Sequence, residues 1–292
     1  MTREFRSGLL GGLLAVATAT LPGAAAEPLE VWVSIPPMLE IVGRVGGDRV
    51  HAQALLAPGA SPHTFEPTPR QLAGLWEADL FLGIGVSFET PLLAKIASMQ
   101  PDLAVADCSR EVELAPIDDA HLDAHPAERF DPHTWLDPVL VRSEAAAVRD
   151  ELCRLSPADC AALDANLASY LADLEAAHRR IETMLAPYRG RTLLVFHPAY
   201  GYFARRYGLE QVAVEVGGKE PTPRQLGLLV EQAKASGATA LFVQPQVRGS
   251  AAAAVAEALG CPLVELDPLA ADLSANLERM ARDIAAAMGS ER

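Results

Sequence analysis

Short apolar segments alternate with amphipathic segments along most of the chain, and this alternation constrains the fold more than any other feature. Segments of four to seven apolar residues predict strands, and the longer segments with a 3.6-residue periodicity predict helices. Strands that alternate with helices in this way form parallel βαβ units covered on both faces. The predicted strands of the first half are 29–35, 51–57, 79–85 and 103–107.

The second half of the chain repeats this pattern. Its predicted strands are 192–197, 211–216, 240–244 and 262–266. Its predicted helices are 200–207, 223–236, 250–259 and 272–288. We therefore predict an α/β fold of two pseudo-symmetric lobes with mainly parallel sheets, each lobe with its own core.

A purely helical stretch separates the two patterns. Residues 138–155 and 156–188 are rich in Ala, Leu, Arg and Glu and contain no strand-like segment. Ser156 before Pro157 predicts an N-cap and a helix that continues to about residue 188, or about 45 Å at 1.5 Å per residue. We predict a rigid linking helix at 156–188 between an N-terminal lobe, 27–155, and a C-terminal lobe, 189–292.

One heptapeptide occurs twice. Residues 66–72 and 220–226 both read EPTPRQL, 154 residues apart. In each copy Thr can cap a helix, Pro can occupy its first position and Gln can complete a capping box. Taken by itself, each copy can be explained as an ordinary capped start of a helix. The identity of all seven residues favours equivalent positions in two related lobes, with the helix starts facing a shared cleft.

The N-terminal residues have the features of a cleavable signal peptide. Arg3 and Arg6 precede an apolar run, 8–21, which ends near the small residues 24–26. The run has about 14 residues, whereas about 20 are needed to span a bilayer, so a membrane anchor is the weaker interpretation. No Cys follows the run to carry a lipid anchor. We predict a signal peptide at 1–26 and export.

The net charge argues against one class of ligand, and the positions of the cysteines allow one local disulfide. A formal net charge of −14 argues against nucleic-acid binding, which requires clustered Lys and Arg. Cys153 and Cys160 flank a predicted turn, so they form either a local disulfide or two thiols. Cys108 and Cys261 are expected to be buried thiols rather than a bridge between the lobes.

Four potential metal ligands lie beside prolines, at loop positions or strand ends: His63, His133, His197 and Asp267. Open α/β sheets bind ligands at the carboxyl ends of their strands. Each residue alone also fits a structural role, such as a bond to a backbone carbonyl or a turn. Three imidazoles and one carboxylate together suit tetrahedral Zn²⁺. Their separations of 70, 64 and 70 residues require two lobes to bring them together.

Four phrases resemble the zinc- and manganese-specific solute-binding proteins of ABC transporters. They are SPHTFEP at 61–67, DPHTWLDP at 131–138, FHPAYGYF at 196–203 and LDPL at 266–269. The resemblance covers the mature chain and implies two α/β lobes joined by a rigid helix, with the metal between them. It implies His63, His133 and His197 as ligands, with Asp267 as the fourth. It also implies a periplasmic carrier, expected to be a monomer, that delivers the ion to an ABC permease and its ATPase in the inner membrane.

Two departures from the family pattern limit the features that the resemblance implies for this chain. Zinc-specific members often have a long loop rich in His and Asp before the second ligand, whereas the segment 118–125 is short and contains two His. Some members place Glu before the first ligand, where this chain has Pro62. Asp267 or water must then complete the coordination. Three imidazoles favour Zn²⁺ over Mn²⁺, although affinity order alone does not exclude copper or nickel.

Other functions fit the residues less well. A secreted zinc hydrolase could use three His ligands, water and Glu66 as a base, but the chain contains no H-E-x-x-H or G-x-S-x-G motif. We therefore expect no enzymatic activity. A surface adhesin would need an anchor, and no Cys follows the apolar run to carry a lipid. A metal-free sugar or amino-acid receptor usually needs aromatic side chains, which form only 5% of this chain.

Overall fold

The computed structural model describes residues 27–116, 130–215, 222–246 and 250–290. The predicted signal peptide, 1–26, and the acidic segment 118–125 lie outside the described residues. So do Glu220 and Pro221, the first two residues of the second heptapeptide.

The first half of the chain forms a parallel four-stranded sheet with helices between its strands. Its elements are β1 (Leu29–Val33), α1 (Pro37–Gly46), β2 (Val50–Ala54), α2 (Pro69–Trp76), β3 (Leu80–Gly83), α3 (Glu89–Met99) and β4 (Ala104–Asp107). The strand order is β2-β1-β3-β4. β3 is buried along its whole length, as expected for a strand of a parallel sheet covered on both faces.

Two long helices follow, α4 (Pro138–Leu155) and α5 (Cys160–Leu185). The single helix predicted from Ser156 begins later than expected. Pro157–Asp159 form a 3-10 turn before α5, and no side chain caps that helix. The Ser156 hydroxyl instead donates a hydrogen bond to the Asp159 carboxylate over 2.6 Å. At 26 residues, α5 is about 39 Å long, and a disulfide between Cys153 and Cys160 joins its start to the end of α4.

The second half builds another parallel sheet. Its elements are β5 (Thr192–Val195), α6 (Gly201–Tyr207), β6 (Glu210–Ala213), α7 (Pro223–Ala235), β7 (Leu241–Val243), α8 (Ser250–Leu259), β8 (Leu263–Glu265) and α9 (Leu273–Gly289). The strand order is β6-β5-β7-β8, the counterpart of the first sheet. The predicted fold class, two related α/β lobes and a long central helix, is confirmed.

The hydrophobic core is shared between the lobes, and the expectation of two separate cores was wrong. One cluster of buried residues runs from β1 and α1 through α4 and α5 to β5, α6 and α9. α5 causes this continuity, because its buried residues recur every three or four positions and the helix packs against α1, α4 and α9. A smaller cluster around Phe196 and Val255 covers the other face of the second sheet.

Polar contacts reinforce the junction between the lobes. The indole Nε1 of Trp135 donates to the backbone oxygen of Pro268 over 2.7 Å. Arg206 on α6 forms an ion pair with the buried Asp137 carboxylate at the start of α4. These bonds tie the segment that contains His133 to the second lobe, so we expect the lobes to move little relative to each other.

None of the helices in the described part of the chain has the length and apolar character needed to cross a membrane.

Candidate metal centre

Three of the four predicted ligands meet where the two lobes face each other. The Nε2 atoms of His63 and His197 are 3.3 Å apart. The ring centroid of His197 lies 4.9 Å from that of His63 and 5.5 Å from that of His133, and both pairs of rings are edge-on. Side chains separated by up to 134 residues therefore form one imidazole cluster.

His197 lies two residues after the end of β5, an interior strand of the second sheet. The backbone N–H of Phe196 donates to the β7 residue Phe242, so the sheet pairing continues to the residue before His197. The imidazole is buried, with 8% of its surface exposed. Its Nδ1 lies 2.7 Å from Oε2 of Glu215, a residue just past the end of β6.

His133 lies in the turn that leads into α4. Asp131 fixes the turn, because its Oδ1 accepts a hydrogen bond from the backbone N–H of His133 over 3.0 Å. The same oxygen lies 2.7 Å from Nδ1 of the imidazole. Thr134, Trp135 and Leu136 are buried behind this turn, and the Trp135 ring centroid lies 5.2 Å from that of His133.

His63 lies in the long loop between β2 and α2. Gly59 in this loop has a φ of +78°, a conformation that favours glycine. The Ser61 hydroxyl accepts a hydrogen bond from the backbone N–H of His63 over 3.4 Å, and Phe65 packs edge-on against Phe88. In the described part of the chain, the His63 imidazole contacts no carboxylate.

Burial and the neighbouring imidazoles lower the pKa of His63. The residue as a whole is exposed, but the ring edge that carries Nε2 lies against His197. The pKa of His63 is lowered to about 4, first because burial around the ring disfavours the charged form and then because His197 and His133 lie close. At neutral pH the His63 imidazole is uncharged, which is the form that binds a metal ion.

Residues 31–288, which include all four predicted ligands, match a family model described as zinc-uptake complex component A, periplasmic, or ZnuA. The chain belongs to the ZnuA family. The high-affinity zinc uptake system protein ZnuA of Yersinia pestis is 30% identical over 262 residues, which cover 82% of each chain. The manganese-binding lipoprotein MntA of Halalkalibacterium halodurans is 27% identical over 230 residues, 77% of this chain and 73% of its own.

A crystal structure of a ZnuA deletion mutant with zinc bound has the same fold. It is 35% identical in sequence, with a TM-score of 0.84, and the match covers 91% of this chain and 100% of that one. The relationship to ZnuA proteins therefore extends through both sheets and the linking helices.

Asp267, the fourth residue predicted from the sequence of this ZnuA-family chain, follows β8 at the same edge of the second sheet as His197. Its Oδ1 accepts hydrogen bonds from Gln246 Nε2 over 3.2 Å and from the Leu269 backbone N–H over 2.9 Å. No contact among the described residues joins it to the three imidazoles. In the same part of the chain, no group of three or more His, Cys, Asp or Glu side chains is yet arranged to hold a metal ion. The complete ligand set remains a prediction.

The sequence interpretation missed two carboxylates that orient the imidazoles, Asp131 and Glu215. Each holds Nδ1 of a ring and leaves Nε2 free to face the cluster, an arrangement typical of zinc sites in proteins. Asp131 was detectable, because Asp two residues before a turn His readily bonds its backbone. Glu215 was detectable only with the knowledge that β6 lies next to β5.

Proposed function

We propose that this ZnuA-family protein captures Zn²⁺ in the periplasm between its two lobes and delivers it to an ABC importer. His63, His133 and His197 bind the ion through Nε2, and Asp267 supplies a fourth, anionic ligand. The permease and ATPase of the importer, in the inner membrane, receive the ion.

The distance of 3.3 Å between Nε2 of His63 and Nε2 of His197 is the observation that carries this proposal. A tetrahedral zinc ion with Zn–N bonds of about 2.0–2.1 Å places two ligand nitrogens about 3.3–3.4 Å apart. Two imidazoles from different lobes are therefore already separated as zinc requires. The carboxylates on Nδ1 of His197 and His133 fix the tautomer in which Nε2 carries the lone pair.

Asp267 reaches the ion by a movement of its side chain. Its backbone oxygen accepts a hydrogen bond from Asn276 on α9 over 2.6 Å, which fixes the main chain. The carboxylate exchanges its bonds to Gln246 and Leu269 for the metal. Three nitrogen ligands and one oxygen ligand favour Zn²⁺ over the harder Mn²⁺.

The ion is released by movement of the His63 loop rather than by wide opening of the lobes. His133 and His197 are held by Asp131 and Glu215, and the core continues from one lobe into the other. His63 contacts no carboxylate among the described residues, and its loop is exposed. We expect the radius of gyration to remain nearly constant when zinc binds, and a large change in solution scattering would contradict this mechanism.

The remaining parts of the proposal concern the whole protein. Residues 1–26 form a signal peptide that is removed on export, and the mature protein is a monomer of two lobes, 27–155 and 189–292. The segment 156–188, which contains α5, joins the lobes. It binds and releases the ion without catalysing a reaction. Mass spectrometry of the exported protein tests the cleavage site, and zinc-dependent ester or peptide hydrolysis would contradict the carrier function.

Calorimetry on the metal-free protein tests the metal site. We expect Zn²⁺ to bind with one-to-one stoichiometry and more tightly than Mn²⁺. Alanine at any of the three cluster histidines should weaken zinc binding by more than about 100-fold, the upper range for outer-shell partners. His51→Ala is the matched control, because His51 is exposed and pairs with Glu30 away from the cluster. Tight zinc binding by two of the three cluster variants would refute the site, and tighter binding of Mn²⁺ would refute the choice of metal.

A further inference from the structure

The main chain around Asp267 is held at three consecutive carbonyl groups. Each backbone oxygen accepts a hydrogen bond from a side chain of a different segment. The pairs are Tyr200 to Leu266 over 2.7 Å, Asn276 to Asp267 over 2.6 Å, and Trp135 to Pro268 over 2.7 Å. The three donor residues are only 1–3% exposed, so water does not compete for these bonds. The Asp267 carboxylate therefore changes position by rotation of its side chain and not by movement of the main chain.

Two donors hold that carboxylate, and both act on the same oxygen. Oδ1 accepts from the backbone N–H of Leu269 over 2.9 Å and from Nε2 of Gln246 over 3.2 Å. The Leu269 N–H belongs to the fixed main chain. Gln246 lies three residues after the end of β7, in the connection that leads to α8. Among the described residues, it is the only one whose side chain donates to Asp267.

Packing alone does not explain a glutamine at position 246. Its Oε1 atom is buried and has no hydrogen-bond partner among the described residues. An unpaired buried amide oxygen is destabilising, and an apolar side chain would fill the same space without that penalty. What the glutamine gains is the bond from Nε2 to Asp267. A polar group that is kept in spite of a local penalty indicates a role in function.

We propose that Gln246 is a latch that holds Asp267 away from the imidazole cluster and competes with zinc for its carboxylate. This inference rests on the proposed function, in which Asp267 exchanges its present bonds for the ion. A ligand group that is available for only part of the time lowers the affinity of the complete site in the same proportion. When Asp267 returns to Gln246, the ion keeps only its three imidazoles. The latch therefore weakens zinc binding and speeds release, as a carrier requires.

Removal of the latch should strengthen zinc binding. Gln246→Met has a side chain of similar length without an N–H donor. Hydrogen bonds to charged groups typically change an equilibrium by about 10- to 150-fold, and 3.2 Å is at the long end of N–H···O distances. We therefore expect zinc affinity to rise about tenfold, as measured by competition with a fluorescent chelator. Zinc dissociation into excess chelator should slow by about the same factor.

Gln244→Met is the matched control. Gln244 is the first residue after β7, is half-buried like Gln246, and forms no side-chain hydrogen bond with a described residue. Its substitution should leave zinc affinity within about twofold of the wild type. Calorimetric unfolding of the metal-free proteins checks that each variant is folded. Gln246→Ala is a second variant that also lacks the donor, in case methionine disturbs the packing.

Two further measurements separate a latch from a structural role. In an Asp267→Ala background, Gln246→Met should no longer change zinc affinity, because the latch acts only through Asp267. A structural role would give the same change in both backgrounds. In a crystal structure of the zinc-bound wild type, the bond from Gln246 to Asp267 should be broken and a carboxylate oxygen of Asp267 should lie on the ion.

The opposite sign is the clearest contradiction. If Gln246 stayed bonded to Asp267 and oriented it toward the ion, both Gln246 variants would bind zinc more weakly. That result, an affinity within twofold of the wild type for both variants, or equal tightening by Gln244→Met would overturn the latch. So would an intact bond between Gln246 and a zinc-bound Asp267. A wild type that binds no zinc would refute the proposed function itself, and an unchanged affinity of Asp267→Ala would refute the fourth ligand. If Asp267→Ala weakens binding while the Gln246 variants have no effect, only the latch is refuted.

Discussion

Substitution of Glu215 tests whether the carboxylate behind His197 controls zinc affinity. Its Oε2 lies 2.7 Å from Nδ1 of His197, and the two side chains are only 15% and 8% exposed. The bond fixes the ring orientation and keeps the Nε2 lone pair directed at the cluster. Its negative charge also stabilises a bound dication.

The expected loss follows from the strength of this hydrogen bond. Hydrogen bonds to charged groups contribute about 1.5–3 kcal/mol, or roughly 10- to 150-fold in affinity, and outer-shell partners of zinc ligands typically contribute about 10- to 100-fold. Glu215→Gln keeps an oxygen acceptor but loses the charge, so we expect zinc affinity to fall about tenfold. Glu215→Leu removes both, so we expect a fall of about 100-fold.

Competition for zinc with a fluorescent chelator at pH 7.5 measures these losses. Glu210→Gln is the control, because Glu210 is exposed at the other end of the same strand, β6. It should leave the affinity unchanged. A zinc affinity within twofold of the wild type for both Glu215 variants would refute the argument that this carboxylate positions His197.

Three further predictions concern stability. Burial raises the pKa of Glu144 from 4.5 to about 8, so its protonated carboxyl contributes stability that is lost as pH rises through this window. The free energy of urea unfolding of the wild type, minus that of Glu144→Gln, should therefore fall from pH 4.5 to 8, and a difference independent of pH would contradict this contribution. The pKa of His63 is lowered from 6.5 to about 4, so its uncharged imidazole contributes stability to the metal-free protein that is lost as pH falls through that window. The free energy of unfolding of the wild type, minus that of His63→Gln, should fall with it, and a constant difference would be evidence against this contribution. Thr68→Ala and Thr222→Ala each remove a helix cap that contributes about 1 kcal/mol to the free energy of unfolding. Each substitution should therefore lower Tm by about 2–4 °C in calorimetric scans. An unchanged Tm would show that the caps are dispensable.

Local signals in the sequence were sufficient for the fold class and for the imidazole cluster. Apolar runs such as 79–85 coincide with buried strands, and the Thr-Pro-Arg-Gln phrase marks the starts of α2 and α7. The cluster followed from a topological rule, that strand ends of parallel sheets meet at one edge. His197 illustrates the rule, since it lies just past the end of β5 and contacts His63 of the first lobe.

Features that depend on packing between distant segments were not accessible from the sequence. Glu215 becomes meaningful only when β6 is known to lie beside β5. The start of α5 was misplaced because Pro157 begins a 3-10 turn, which has the same sequence signature as a helix start. The Asp267 side chain accepts from the backbone N–H two residues later, which is the turn that its sequence offered as the alternative to metal binding. Its contact with Gln246 has no pattern in the chain.

The core shared between the lobes has a consequence for the time at which the chain folds. α9 packs against α5 and α1, so segments far apart in the sequence complete the same core. Contacts between such distant segments form slowly, and here they require α9 to be synthesised. We therefore expect the nascent chain to remain unfolded until α9 has been made, an extended state that suits the proposed export across a membrane.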